Sequence, residues 1–273
     1  MASMPLTSLL KATNTAAFER ATKHPFLEAA GKGEIPKERL SQWLAQDRLY
    51  AQAYVRFIGA LLTKVVLPPC NPNSRQCRAA TTEQHIFDIL LESLNNIHRE
   101  LKFFDEVSME YGLDVTALTQ EQLENSHAGA GFFEPHPITH AYIDLFMSAS
   151  SPGVTLVEGL TVLFATEYAY LHAWKHAASV MAASSICRTT QPSPASFSTG
   201  PERDQDGGAL RRKFIPNWSN PEFEKFVSRL ADVTDEVAGS LKGVEVIEKT
   251  RGSCVGWWRQ VLWLEEQFWP RIN

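Results

Sequence analysis

The sequence lacks the features that mark membrane proteins and secreted proteins. Its most apolar run, Phe57 to Leu67, is interrupted by Thr63 and Lys64 and is too short to span a bilayer. The first residues, MASMPLTSLLKATN, have neither the basic start nor the long apolar core of a secretion signal. Four cysteines in 273 residues are too few for a disulfide framework, which favours reduced thiols. We expect a soluble, cytoplasmic protein that does not bind membranes.

Positive charge and strand-like patterns are also scarce. The formal net charge is −5, and the one basic triplet, Arg211 to Lys213, is short, which argues against nucleic-acid binding. No segment alternates polar and apolar residues in the way that a half-buried strand does. The composition, 44% hydrophobic and 21% charged, is typical of a globular domain with a large core.

Helical periodicity is abundant instead. Between Thr82 and Tyr111 the apolar residues recur at spacings of three and four, and Gly112 stands where it can end a helix. A first helix is predicted from Asn14 through Phe26 and beyond, with a kink at Pro25 and its end at Gly31 and Gly33. Further helices are predicted for residues 36–67, 120–125, 138–149, 154–184, 221–239 and 245–269, with 214–223 as an extended turn. We predict an all-α fold, a single-domain helical bundle of seven to nine helices over residues 1–273. Residues 185–210, rich in Pro, Gly and Ser, are predicted to form a flexible surface insertion.

Three carboxylates interrupt the apolar stripes of three different predicted helices. Asp47 lies in WLAQDRLYAQAY, Glu167 lies between Phe164 and Leu171, and Glu265 lies between Leu262 and Trp269. A carboxylate that faces an apolar interior is costly unless it is paired, hydrogen-bonded or used in chemistry. These three residues are therefore the main candidates for a functional site, although carboxylates paired within the core would give the same pattern.

Two histidine pairs carry the other spacing that suggests chemistry. His172 and His176 are four residues apart on one predicted helix, as are His136 and His140 around Pro137. Such pairs can bind metals, but no carboxylate completes a metalloprotease motif between them. We expect a metal-free site, with these histidines as ordinary core or capping residues.

Several separated motifs resemble those of the TenA (thiaminase II) family, which has a haem-oxygenase-like helical fold. Pro25–Phe26, Gly33 and Ile35–Pro36 lead into QDRLY, which is similar to the Gln-Asp-x-x-Tyr signature of that family. EEQFW, near the end, is similar to its Glu-x-x-Phe-Trp motif, and FIPNWSNPEF resembles the segment before its penultimate helix. The resemblance covers most of the chain outside residues 70–80 and 185–210.

The resemblance implies a role for each candidate residue. It makes Glu265 the general acid/base and Asp47 the residue that holds the ring amino group of a pyrimidine. Tyr50, Tyr142, Tyr170 and Trp218 would supply flat faces and hydroxyls around the ring. Many members carry a nucleophilic cysteine where this chain has Thr166, so the chain resembles a cysteine-lacking branch in which Glu167 would take part in catalysis.

The implied reaction is hydrolysis of aminomethyl-aminopyrimidine, a thiamin breakdown product, to the hydroxymethyl compound and ammonia. No metal or organic cofactor is implied; haem, which related folds bind, is not expected. The family's assemblies imply a homo-oligomer, either a dimer or a tetramer. Two alternatives stay open: a hydrolase of an N-formylated or other amino-heterocycle, and a non-catalytic pyrimidine-binding or regulatory protein.

Overall fold

A computed structural model describes residues 4–67, 69, 81–118, 133–189 and 203–272, and within these ranges every regular element is helical. The α-helices, in chain order, are α1 Leu6–Ala12, α2 Thr15–Thr22, α3 Pro25–Lys32, α4 Lys37–Leu62, α5 Thr82–Tyr111, α6 Pro137–Ala149, α7 Leu156–Thr189, α8 Ile215–Trp218, α9 Pro221–Ser240 and α10 Val244–Phe268; a π-helical turn, Leu210–Phe214, precedes α8. The prediction of an all-α fold is confirmed.

Local signals in the sequence place most of the helix ends. Helix α5 occupies the predicted range, with Thr81 accepting a hydrogen bond from the backbone N–H of Gln84 and Gly112 ending the helix at a φ of 62°. The prediction of one helix from residue 14 to Gly31 or Gly33, kinked at Pro25, was wrong about its continuity, because the chain forms α2, bends at Lys23 and begins α3 at Pro25; α3 does end at Gly33. The predicted helix 120–125 lies outside the described residues.

Helix α7 is the central element of the bundle. It packs against α2, α3, α9 and α10, and its first six turns are buried on almost every side. A helix that is apolar all round belongs in the interior, because no face of it can meet water without exposing apolar surface. Helices α4 and α5 pack against each other, and α9 contacts both α5 and α7. This arrangement leaves space between α4, α5, α7 and α9.

Two groups of buried residues fill the bundle. One is mainly aliphatic and lies among α4, α6, α7, α9 and α10, around Phe57, Phe146 and Trp258. The other is rich in indole rings, with Trp43 stacked on Trp269 at 5.7 Å between ring centroids. Helices α4 and α7 contribute to both groups, so they connect the two parts of the core.

The segment from 203 to 218 corrects two predictions. Residues 203–210 were expected to belong to a flexible insertion, but Asp204 and Asp206 are buried, and Asp204 pairs with Arg211. The backbone of Gln205 exchanges hydrogen bonds with Gly33 and Lys37, which fixes the segment against the start of α4. Residues 214–218 are helical rather than extended. The remainder of the predicted insertion is helical to Thr189, and residues 190–202 lie outside the described ranges.

No helix in the described part of the chain combines the length and the apolar composition that crossing a membrane requires.

Candidate active site

A cavity of about 330 Å³ lies between α4, α5, α7, α8 and the beginning of α9. This volume is in the range of small-molecule sites. The cavity is lined by five carboxyl side chains, several aromatic rings and a polar rim. Its lining comprises Asp47, Tyr50, Tyr54, Glu92, Ser93, Asn96, Ile97, Arg99, Glu100, Phe103, Thr166, Glu167, Tyr170, Asn217, Trp218, Asn220, Glu222, Phe223 and Phe226.

Asp47 lies on the α4 face of the cavity and is 3% exposed. Its Oδ2 accepts a hydrogen bond from the Tyr170 hydroxyl of α7 at 3.3 Å. Burial raises the pKa of the Asp47 carboxyl, and the nearby Glu100 carboxyl raises it further, whereas the Tyr170 hydrogen bond lowers it. Asp47 faces inward, and it takes part in none of the ion pairs formed between described residues.

Glu167 enters the cavity from α7, one residue after Thr166. Its Oε1 accepts a hydrogen bond from the Tyr54 hydroxyl of α4. Burial raises the pKa of Glu167 to about 7, so at neutral pH the carboxyl is divided between its protonated and ionised forms. Such a group can give up or take a proton near physiological pH.

Glu265 lies behind this cavity, because it is buried and is not among the residues that line it. Its Oε1 accepts a hydrogen bond from the Tyr142 hydroxyl of α6. Burial raises the pKa of Glu265 to about 8. The Tyr50 side chain, which does line the cavity, is close enough for Glu265 and Glu167 both to raise the pKa of its hydroxyl, after burial.

Of the four predicted aromatic residues, three line the cavity and one lies outside its lining. Tyr50, Tyr170 and Trp218 line the cavity, and the rings of Tyr170 and Trp218 are 5.4 Å apart at 70°. Tyr142 does not line it; its ring packs edge-on against Tyr50, with centroids 5.0 Å apart. Tyr142 thus contacts Glu265 and Tyr50 in this structure, and its contact with a ligand stays a prediction.

Thr166, at the position where the resemblance places a cysteine in many family members, lines the cavity. Its hydroxyl donates a hydrogen bond to the Leu163 carbonyl at 3.0 Å, as threonine hydroxyls do within helices. Cys254 is buried on α10 outside the cavity lining, and burial raises the pKa of its thiol to about 11. Neither side chain is suited to act as a nucleophile here.

Two further cavity residues, Glu100 and Tyr54, were not among the residues predicted from sequence. Glu100 of α5 lines the cavity and accepts hydrogen bonds from Trp218 Nε1 and, at 3.3 Å, from Asn217 Nδ2. Burial raises the pKa of Glu100 to about 7. Tyr54 of α4 also lines the cavity, and its hydroxyl donates a hydrogen bond to Glu167. Neither residue interrupts an apolar stripe, so periodicity gave no signal for them.

The described residues contain no group of three or more His, Cys, Asp and Glu side chains placed to hold a metal ion. His172 and His176 lie on the other side of α7, in a separate hollow with Phe18 and Lys23. His136 caps α6, where its Nδ1 accepts a weak hydrogen bond from the Ile138 backbone.

The fold and the cavity together define a class: a helical bundle of the haem-oxygenase-like type with an acidic, aromatic-walled site in its interior. The sequence profile of the TENA/THI-4/PQQC family matches residues 13–272, and the chain belongs to this family.

Proteins that are similar in sequence to this chain have different names. A Fusarium pseudograminearum protein named as a probable transcription factor is 30% identical over 267 residues, which are 93% of this chain and 49% of that protein. A soybean (Glycine max) protein named as a probable bifunctional TENA-E protein is 21% identical over 58% of each chain. The chain therefore spans about half the length of these curated relatives.

Solved structures show the same fold. A TenA homologue from Pyrococcus furiosus aligns with a TM-score of 0.67 at 22% identity, covering 97% of this chain and 98% of that one. A putative TenA-like thiaminase from Sulfolobus solfataricus aligns with a TM-score of 0.53 at 12% identity, covering 95% and 97%. At these identities the likeness concerns the fold.

Proposed function

We propose that the protein hydrolyses an aminomethyl-substituted aminopyrimidine to the hydroxymethyl compound and ammonia, as in thiamin salvage. The observation that carries the proposal is the convergence of Asp47, Glu167 and three aromatic rings on one cavity that has Thr166 at the cysteine position. A carboxyl pair with raised pKa values supports acid–base hydrolysis, and the soybean relative's TENA-E name supports the same chemistry.

The ring is recognised by Asp47 and by the aromatic walls. The Asp47 carboxylate accepts hydrogen bonds from the ring amino group, while Tyr170 orients that carboxylate from the other side. Tyr170 and Trp218 offer flat surfaces against which a pyrimidine can pack. Holding the amino group in the ring plane lets its lone pair assist departure of the amine from the exocyclic carbon.

Proton transfer to the leaving amine falls to Glu167, which lines the cavity. The C–N bond breaks as Glu167 gives its proton to the amine, and ammonia leaves. Water then forms the C–O bond and returns a proton to the Glu167 carboxylate, so the enzyme is regenerated. Glu265 keeps the acid–base role inferred from sequence, but through Tyr50, whose hydroxyl lies near both glutamates. It is thus a positioning and proton-exchange residue in this proposal.

Measuring ammonia release tests this assignment. Wild-type protein is compared with Glu167→Gln, Glu265→Gln and Asp47→Asn, using aminomethyl-aminopyrimidine, its N-formyl derivative and thiamin. Loss of the proton donor is expected to lower kcat by about 10²–10⁴ in Glu167→Gln. Glu266→Gln is the matched control, because Glu266 neighbours Glu265 but faces solvent and pairs with Arg20 at 2.9 Å.

Each outcome has a distinct meaning. If ammonia release is lost in Glu265→Gln and stays normal in Glu167→Gln, Glu265 rather than Glu167 is the general acid. Preference for the N-formyl derivative would make the protein an amidohydrolase of the same pyrimidine. Binding of the pyrimidine without turnover of any substrate would support the second candidate, a non-catalytic binding protein, which the position of Glu265 outside the cavity lining favours.

A further inference from the structure

Glu100 is a cavity carboxyl that has no role in the proposed reaction so far. It stands on α5, opposite the helices that carry Asp47 and Glu167. The Glu100 carboxyl acts electrostatically on both: after burial, it is the first charge that raises the pKa of Asp47, and it also raises the pKa of Glu167. Three carboxyls from three helices therefore face one shared space.

Little positive charge balances these carboxyls within the described lining. Arg99 is the one cationic side chain there; its charge lowers the pKa of Glu100, but it lies 3.6 Å from Glu222 and donates to Asn96. The Glu100 carboxyl accepts from Trp218 and Asn217, and Asp47 accepts from Tyr170. Because a carboxylate can accept about four hydrogen bonds, each group keeps acceptor capacity for a ligand.

This surplus of acceptors defines the kind of ligand that fits. The ligand must be a flat ring with several N–H donors or protonated nitrogens that point in different directions. An aminomethyl-aminopyrimidine has three such groups: the ring amino group, a basic ring nitrogen and the exocyclic amine. With Asp47 and Glu167 assigned to the amino group and the amine, the ring nitrogen lacks a partner.

We propose that Glu100 is a substrate-binding residue that shares a proton with a ring nitrogen of the pyrimidine, an inference that rests on the proposed function. The hydrogen bond draws electron density into the ring nitrogen and holds the ring in register between Tyr170 and Trp218. It also makes Glu100 the residue that distinguishes a pyrimidine from a carbocyclic or pyridine ring of the same shape, since an analogue without that nitrogen cannot use the acceptor capacity that Glu100 keeps beside Trp218 and Asn217.

A cycle of ligand and protein changes tests the assignment. The probes are the reaction product, the hydroxymethyl-aminopyrimidine, and two pyridine analogues in which one or the other ring nitrogen is replaced by C–H. Calorimetry with wild-type protein is expected to show at least about tenfold weaker binding of one analogue, as for a charged hydrogen bond. In Glu100→Gln this discrimination should be reduced, because the amide can present its oxygen to Trp218 and an N–H to the ring nitrogen but carries no charge and shares no proton with the ring.

Two further variants keep the test decisive. Glu106→Gln, on an exposed position of the same helix, should keep the wild-type discrimination. Glu100→Asp retains the negative charge but moves it away from the cavity by the length of one methylene group. It should therefore discriminate less between the pyrimidine and the pyridine analogue. This variant replaces Glu100→Gln if Glu100→Gln does not fold.

The outcomes separate this inference from the proposed function. Unchanged discrimination in a folded Glu100→Gln protein that still turns over the aminopyrimidine would overturn the role of Glu100 alone, leaving it as a support for Trp218. Failure of wild-type protein to bind or hydrolyse any of the pyrimidines would overturn the proposed function and this inference together.

Discussion

The hydroxyl of Tyr54 on α4 donates a hydrogen bond to Oε1 of Glu167 on α7, and both side chains line the cavity. The two residues are separated by 113 positions in sequence, so the contact depends wholly on how the helices pack. Its consequence is electrostatic: the hydrogen bond stabilises the ionised form of Glu167 and opposes the effect of burial on its pKa. The same bond fixes the direction of the carboxyl toward the cavity.

Replacing Tyr54 by Phe is therefore expected to raise the pKa of Glu167 above its value of about 7. If Glu167 donates the proton, activity is lost as pH rises through this pKa, and the loss should occur at higher pH in Tyr54→Phe. The maximal rate should fall several-fold because the carboxyl is held less firmly. A pH–rate profile from pH 5 to 9 measures both effects. Tyr168→Phe, at the half-buried neighbouring position outside the cavity, should leave the profile unchanged.

Stability should depend on pH through the buried carboxyls. Folding raises the pKa of Glu265 to about 8, whereas in the unfolded chain a glutamate titrates near its ordinary value of about 4.3. Between these values the folded state binds more protons than the unfolded state. The free energy of unfolding therefore falls as pH rises from about 5 to 8, by up to ~1.4 kcal/mol per pH unit for each such group.

Glu265→Gln removes one of these titrations. The variant is expected to show a shallower decline of melting temperature between pH 5 and 8 than wild-type protein, with its largest relative gain at pH 8. Thermal unfolding followed by circular dichroism at several pH values provides the measurement. Glu266→Gln should reproduce the wild-type slope, and an equal slope in Glu265→Gln would contradict a raised pKa at position 265.

Much of the fold was accessible from sequence because helices are specified locally. Periodicity placed α5 correctly, and prolines and glycines marked several boundaries. Asp47 and Glu265 were found because each interrupts an apolar stripe. Glu100 was not, because it follows His98 and Arg99 on α5 and so has the local pattern of a solvated helix face. Its burial comes from α8, which brings Asn217 and Trp218 onto it.

Tertiary packing also determines two features that the sequence pattern did not predict: the position of Glu265 relative to the cavity and the structure of residues 203–210. Glu265 points inward as predicted, but whether it reaches the cavity depends on Tyr50 and Tyr142, which α4 and α6 contribute. The segment 203–210 has the composition of a loose loop, yet its two aspartates are held by Arg211 and by backbone N–H groups. Composition alone does not distinguish an exposed acidic loop from one whose acids are paired.

Arg211 is expected to be essential for stability of this segment. Its Nε donates to Asp204 Oδ2 at 2.6 Å, and both side chains are about 5% exposed or less. Arg211→Met would leave the Asp204 charge buried without a partner, at a cost of about 3–5 kcal/mol in denaturant unfolding. Lys213→Met, which breaks a solvent-exposed pair with Glu110, should have little effect. Adding Asp204→Asn to Arg211→Met should recover part of the loss; no recovery would argue against the pairing.

Gly31 of α3 lies where this helix makes its closest approach to α7. A Cβ atom at position 31 would lie 2.6 Å from the Ala177 carbonyl oxygen and 2.8 Å from Val180 Cβ, so Gly31→Ala must push the two helices apart. We expect a loss of about 1–3 kcal/mol in the free energy of unfolding, as for overpacked cores. Gly252→Ala is the matched control within α10, because nothing lies within 4 Å of its added methyl group. This control should gain about 0.5–1 kcal/mol from helix propensity. Opposite signs in urea unfolding would establish the close packing of α3 on α7, and equal effects would contradict it.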